Sequence, residues 1–260
     1  MADPEAGQNG WGYQPLINHE QQQNERSRFE AIARRLNDRY GRRRWSSHGS
    51  ALDELIATIL SQHTSDSNTA RSFASLRREF PSWEDVARAD TVRVANAIRN
   101  GGLADTKAPR IQQVLRAVHA ETGAYSLNWL NGMTLSEARS WLTALPGVGP
   151  KTASCVLLFS LGKPAMPVDT HVYRLSRRLQ LIDDNIPVSK SHESLEQITG
   201  PNRDAIYTLH LNLIAHGRAV CKARAPHCGH CVLADLCPAS AIPVTATICR
   251  DQIERPDRDC

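Results

Sequence analysis

Residues 145–153 read Leu145-Pro146-Gly147-Val148-Gly149-Pro150-Lys151-Thr152-Ala153 and lie between two stretches of helical periodicity. Pro146 disfavours continuation of the helix before it. Gly147 and Gly149 admit positive φ and close backbone approach. Pro150 suits the first turn of a following helix, where its missing N–H costs nothing. Two helices joined this tightly leave backbone amides exposed at a helix N-terminus, a place for an anion such as a DNA phosphate. An ordinary helix corner would carry the same glycines. The lysine directly after them is what turns the segment toward chemistry.

Outward from this corner the pattern stays helical. Leu52, Leu55, Ile56, Ile59 and Leu60 follow the spacing of one apolar helix face. Ile111, Val114, Leu115 and Val118 repeat it, with Gly123 where a stop belongs, and Ile206, Leu209, Leu213 and Ile214 mark another face. Thr134 and Glu137 form a capping box ahead of Ala138, Trp141, Leu142 and Leu145. No pair of alternating strands reads as a hairpin, so the predicted fold class is all-α. Residues 1–25 lack apolar periodicity and are expected to be a disordered leader, and residues 239–260 a tail with a short ordered strap at Val244–Ile248.

Composition narrows the partners. Of 260 residues 41% are hydrophobic and 22% charged, ordinary for a globular chain, and no apolar run approaches the ~20 residues of a membrane helix. The polar start shows no secretory h-region, which points to a reducing, cytoplasmic setting. The net charge of +4 fits a nucleic-acid partner. Arg34, Arg35, Arg39, Arg42, Arg43 and Arg44 crowd one stretch, suited either to phosphate contact or to a solvated face.

Asp169 stands where an N-cap belongs, with Pro167 and Val168 before it and Val172, Leu175 and Leu179 after. As a cap alone it is unremarked chemistry. Paired with Lys151 it supplies a carboxylate and an amine to one site, a pair suited to a sugar C1′ where positive charge builds as a base departs. Lysine attacks carbon only as the free amine, and a helix N-terminus and partial burial both disfavour the ammonium.

Four of the seven cysteines, Cys221, Cys228, Cys231 and Cys237, fall in the spacing C-x6-C-x2-C-x5-C. Four soft ligands so close suit a tetrahedral metal or an iron–sulfur cluster, and spacing alone does not choose between them. Cys155, beside Val156 and Leu157, reads as core, and Cys249 and Cys260 lie in the tail without an assigned role.

The corner at 145–153, the segment Val168-Asp169-Thr170-His171-Val172-Tyr173-Arg174 and the cysteine run led in by His216-Gly217-Arg218 together resemble the endonuclease III family of DNA glycosylases, over roughly residues 26–238. The resemblance implies two helical lobes flanking a DNA-binding cleft: a barrel at 45–163 with the helix-hairpin-helix, and a cluster lobe from 26–44 and 164–238. It implies a monomeric bifunctional glycosylase and abasic-site lyase that removes oxidised pyrimidines, such as thymine glycol, from duplex DNA. Lys151 is then the nucleophile, Asp169 stabilises the developing cation, and the four cysteines hold a [4Fe-4S] cluster. Lys222 and Arg224 in the cluster loop, Lys107, and Gly147, Val148, Gly149 and Thr152 at the corner are implied DNA contacts.

By the same resemblance His63 takes the place of a glutamine plug and Leu103 that of an apolar wedge, filling the gap left by an everted base. Local readings compete: a helix C-terminal histidine for the one, a core leucine for the other. A mismatch-specific relative acting on purines and a non-catalytic DNA-binding module are the rival functions. Lysine at position 151 and the short tail count against the first.

Overall fold

The computed structural model describes residues 19–240, and every regular element among them is helical. In chain order the elements are α1 (His19–Tyr40), α2 (Ala51–Leu60), α3 (Asp66–Glu79), α4 (Trp83–Arg88), α5 (Thr91–Ala97), α6 (Ala104–Thr122), α7 (Leu135–Ala144), α8 (Pro150–Cys155), α9 (Thr170–Arg178), α10 (Val188–Thr199) and α11 (Arg203–Ala219). The all-α class expected from periodicity is the observed one. The strap at Val244–Ile248, Cys249, Cys260 and the leader up to residue 18 lie outside the described residues.

Local signals act where they stand in the sequence. Thr134 Oγ1 accepts from the Glu137 amide at 3.2 Å while the Glu137 carboxylate accepts from the Thr134 amide at 2.8 Å, completing the capping box of α7. Gly123 ends α6 at φ 70°, taking the left-handed turn that stops a helix. One expectation fails: residues 19–25, assigned to the leader, belong to α1. Glutamine and glutamate lose little side-chain freedom in a helix, so the helix anchored by buried Phe29, Ile32 and Leu36 runs back through them.

The apolar faces gather into two cores. One takes α2 through α7, with Leu52, Leu55, Ile111 and Leu115 fully buried. The other joins α1 to the later helices through Ile32, Leu36, Leu175 and Leu213. Helix α8, extended by a π turn at Val156–Ser160, serves both: Ala153, Val156 and Leu157 face the first core, and Cys155, Leu158 and Phe159 the second. A helix apolar all round must be buried all round, which is why this one lies between the cores and carries Lys151 to their junction.

Helix α1 is also strapped to the cysteine segment. Arg35 makes a two-pronged ion pair with Asp235, and Arg28 donates to the carbonyls of Leu179 and Gln180 at 2.7 and 2.9 Å. Part of the arginine run is thus internal fastening, while Arg42, Arg43 and Arg44 are exposed.

Candidate functional site

At the corner Gly147 adopts φ 73°, and a Cβ there would fall 2.2 Å from the Arg110 side chain. The positive φ favours glycine there, while the Arg110 side chain is flexible enough to shift. The chain enters α8 through Gly149 as N-cap and Pro150 in the first turn, so the first amides of the helix lack intrahelical partners and face outward. Gly147 and Gly149 are exposed. Val148 and Thr152, expected to touch DNA, are buried as whole residues.

Lys151 follows in the first turn of α8, half-buried. Asp169 caps α9: its Oδ1 accepts from the amides of His171 and Val172, both at 2.8 Å, and Oδ2 takes no part in the cap. The two residues share surroundings. The Lys151 ammonium acts electrostatically on Cys155 and His210, and the Asp169 carboxylate acts on the same two. An amine and a carboxylate from different helices therefore both act on Cys155 and His210.

Several groups around these residues escaped the sequence reading. Glu54 on α2 feels Lys151, pairs with His48 at 3.8 Å and accepts from Thr58 Oγ1 at 3.4 Å; burial raises its carboxyl above the ordinary range. His48 stacks on Phe159 with ring centres 4.7 Å apart. Cys155, expected in the core, is buried there and also adjoins Lys151, with burial pushing its thiol up to about 11.

Two buried histidines pin the extended segment that delivers Asp169. His210 Nδ1 lies 2.9 Å from the Pro167 carbonyl, and His192 Nδ1 lies 2.8 Å from that of Met166. Burial lowers both, His210 to about 4 despite the opposing pull of Asp169. The only warning in the sequence was a histidine set on an apolar helix face between Leu209 and Leu211.

An acid sensitivity follows. His210 binds a proton less readily folded than unfolded, so its contribution is intact above pH ~6.5 and is lost as pH falls toward its folded value of about 4. Stability is predicted to drop by on the order of 2 kcal/mol across that window. Urea midpoints at pH 7 and 4.5 should lie closer together in His210→Gln than in the parent; an unchanged gap would remove His210 as the source.

The four cysteines line one cavity together with Val220, Pro226 and Ala234. The sulfurs of Cys221, Cys228 and Cys237 act electrostatically on Cys231, and four thiols around one cavity suit an iron–sulfur cluster. Neighbours are ready for thiolates: Arg178 Nη1 donates to Cys221 Sγ at 3.2 Å, the Leu233 amide donates to Cys231 Sγ at 3.4 Å, and His216 Nε2 lies 3.3 Å from the same sulfur. Cys221, Cys228, Cys231 and Cys237 would hold the cluster, which supplies rigidity and charge to a loop carrying exposed Lys222 and Arg224.

Leu103 stands out at 55% exposure in a left-handed turn of φ 52°, so the reading of a core leucine fails. His63 lies beyond the end of α2, exposed, at φ 56°, and is no helix C-terminal histidine. Lys107 is a correction. Expected to touch DNA, it is 2% exposed, and its Nζ donates to the carbonyls of Leu60 at 2.7 Å and Gly101 at 3.0 Å. Its register on α6 turns it into the molecule, toward two loop carbonyls that water does not reach.

Comparison with known proteins agrees with this geometry. Residues 56–201 match the HhH-GPD superfamily base excision DNA repair protein, and residues 221–237 match the iron-sulfur binding domain of endonuclease III. A candidate DNA glycosylase of Arabidopsis thaliana is 41% identical over 148 residues, 57% of this chain and half of that protein. Endonuclease III of Synechocystis is 35% identical over 187 residues, 72% of this chain and 80% of its own length. A trapped covalent intermediate of endonuclease III with DNA superposes with a TM-score of 0.68 and 28% identity, over 82% of this chain and 96% of that one. The chain belongs to the HhH-GPD superfamily of base excision DNA repair proteins, as an endonuclease III-like DNA glycosylase with an iron–sulfur cluster.

Proposed function

We propose that the protein is a bifunctional glycosylase and abasic-site lyase that removes oxidised pyrimidines, thymine glycol among them, from duplex DNA. The observation that carries this reading is the shared environment of Lys151 and Asp169 around Cys155 and His210. The trapped covalent DNA intermediate of a protein of the same fold adds support.

The chemistry follows from those two groups. With the nucleotide everted, Lys151 Nζ attacks C1′, the glycosidic bond breaks and the base leaves with its electron pair and a proton. Asp169 stabilises positive charge at the sugar through the oxygen its cap leaves over. The nitrogen lone pair then breaks the C1′–O4′ bond, O4′ takes up a proton, and the opened sugar carries an iminium at C1′ that keeps one N–H. Removal of a C2′ proton then expels the 3′ phosphate and cuts the strand. Free amine, not water, is the nucleophile, so glycosylase and lyase steps share one residue.

In this reading the lobes at 45–163 and at 26–44 with 164–238 grip a duplex as a monomer in the cytoplasm, on the nucleoid where the cell is bacterial. The corner amides of Gly147 and Gly149, with Lys222 and Arg224, meet the backbone, while Leu103 and His63 enter the helix. The test is a lesion panel at fixed salt, because phosphate contacts make affinity salt-dependent: thymine glycol, dihydrouracil, an abasic site, uracil and an oxidised purine in matched duplexes. Fast release of the first two with strand cleavage is expected. Preference for an unmodified purine in a mismatch, or release without cleavage, would overturn the reading.

A further inference from the structure

The buried ammonium of Lys107 joins the two loops that carry the exposed Leu103 and His63, and we propose that Lys107 is a positioning residue that makes both loops enter the duplex as one unit. The proposal rests on the functional reading above. Its own evidence is geometric. Leu60 is the last residue of α2, and Gly101 ends the short 3-10 turn Arg99–Gly101. Their carbonyls are the partner-seeking ends of two helical segments, each carrying partial negative charge. One ammonium, with three donors and no acceptor, satisfies both at once.

The cation is not there for an ion pair. Burial is the influence that lowers its affinity for a proton, and among the described residues it has no carboxylate partner within salt-bridge distance. A buried charge held only by carbonyl oxygens is costly, and a leucine or methionine would fill the same space without that cost. What the ammonium adds is a link between residues 60 and 101, each of which lies shortly before a point where the chain turns left-handed, at His63 and at Leu103. Both conformations are strained for residues other than glycine and persist only where surroundings enforce them.

The link extends to the helix-hairpin-helix. Gln62 Nε2 donates to the Gly147 carbonyl at 3.3 Å, and Arg110, one turn beyond Lys107, donates to Gln62 Oε1 at 3.4 Å. Ser72 Oγ donates to the Ile98 carbonyl at 3.3 Å and backs the Gly101 turn. Plug, wedge and phosphate corner are thereby tied through the first two turns of α6. A wedge that unstacks a base needs a stiff backing, since the cost of opening the helix is otherwise taken up by the loop itself.

The test compares Lys107→Met with the parent by hydrogen exchange and by single-turnover rates. In the free variant, amides at 61–65 and at 99–103 should exchange about tenfold faster together while the core helices are unchanged. Release of thymine glycol from duplex DNA should slow about 30-fold, and elimination at a preformed abasic site, which has no base to unstack, by less than about threefold. Equal loss in the two rates, loosening of one loop only, or unchanged exchange would overturn the proposal.

Should Lys107→Met fail to fold, the parent protein still decides. Its Lys107 Nζ–H nuclear magnetic resonance signal should be slowly exchanging, and exchange as fast as that of a surface lysine would overturn the clamp. If the parent releases no lesion and forms no covalent adduct, the glycosylase reading fails, while loop exchange and the ammonium signal still judge the clamp.

Discussion

Lys151→Gln should abolish the covalent adduct that borohydride traps between the intact protein and an abasic duplex, and should reduce base release by roughly 10⁴-fold or more, the usual cost of deleting a nucleophile. Glutamine keeps the length and polarity of the side chain but cannot form an iminium. The fold should survive, because Lys151 is half-buried in the first turn of α8 and none of the structural ties described above runs through its side chain. Stability is expected to hold or rise slightly: a cation near a helix N-terminus is opposed by the macrodipole, at about 0.3–1 kcal/mol. A folded variant that binds abasic DNA and gives no adduct is the predicted result. Persistent adduct would move the nucleophile elsewhere, and absence of adduct in the parent would favour a binding module over an enzyme.

Asp169→Asn is expected to slow base release by about 10²–10⁴-fold while leaving duplex binding nearly intact, since it removes charge opposite the developing cation and little else. Asparagine caps helices about as well as aspartate, so the Oδ1 bonds to the His171 and Val172 amides are retained. Asp169→Ala separates the two roles. It should be as slow, and in addition lose about 1 kcal/mol through the missing cap. Denaturation midpoints measured beside single-turnover rates give the comparison. Normal turnover in Asp169→Asn would leave the residue a cap and nothing more.

The residues proposed to do the chemistry were legible because their signals are local. A glycine corner needs two glycines within three positions, an N-cap needs one carboxylate before an apolar helix, and a cluster loop needs four cysteines in a short run. Their neighbours were not legible. His210, His192 and Glu54 come from α11, α10 and α2, and what makes them notable is full or partial burial within the influence of Lys151. Beyond the leucines that flank His210, nothing within a few residues of them announces that environment. Lys107 shows the same division from the other side. A lysine following an exposed wedge reads as a phosphate contact, but one turn along α6 its side chain points inward. Leu103 went the opposite way, an apolar residue held outside.

The chain alone settled the all-α class, the helix stops and caps, the turn before α8 and the cysteine framework, because each depends on backbone preferences and spacings a few residues long. Only the tertiary structure decided which helix is shared by two cores, which histidines stay neutral and which lysine is sealed between two loop ends. Those outcomes depend on how much water each group keeps, and water is excluded by residues that lie dozens of positions away and meet only when the helices pack.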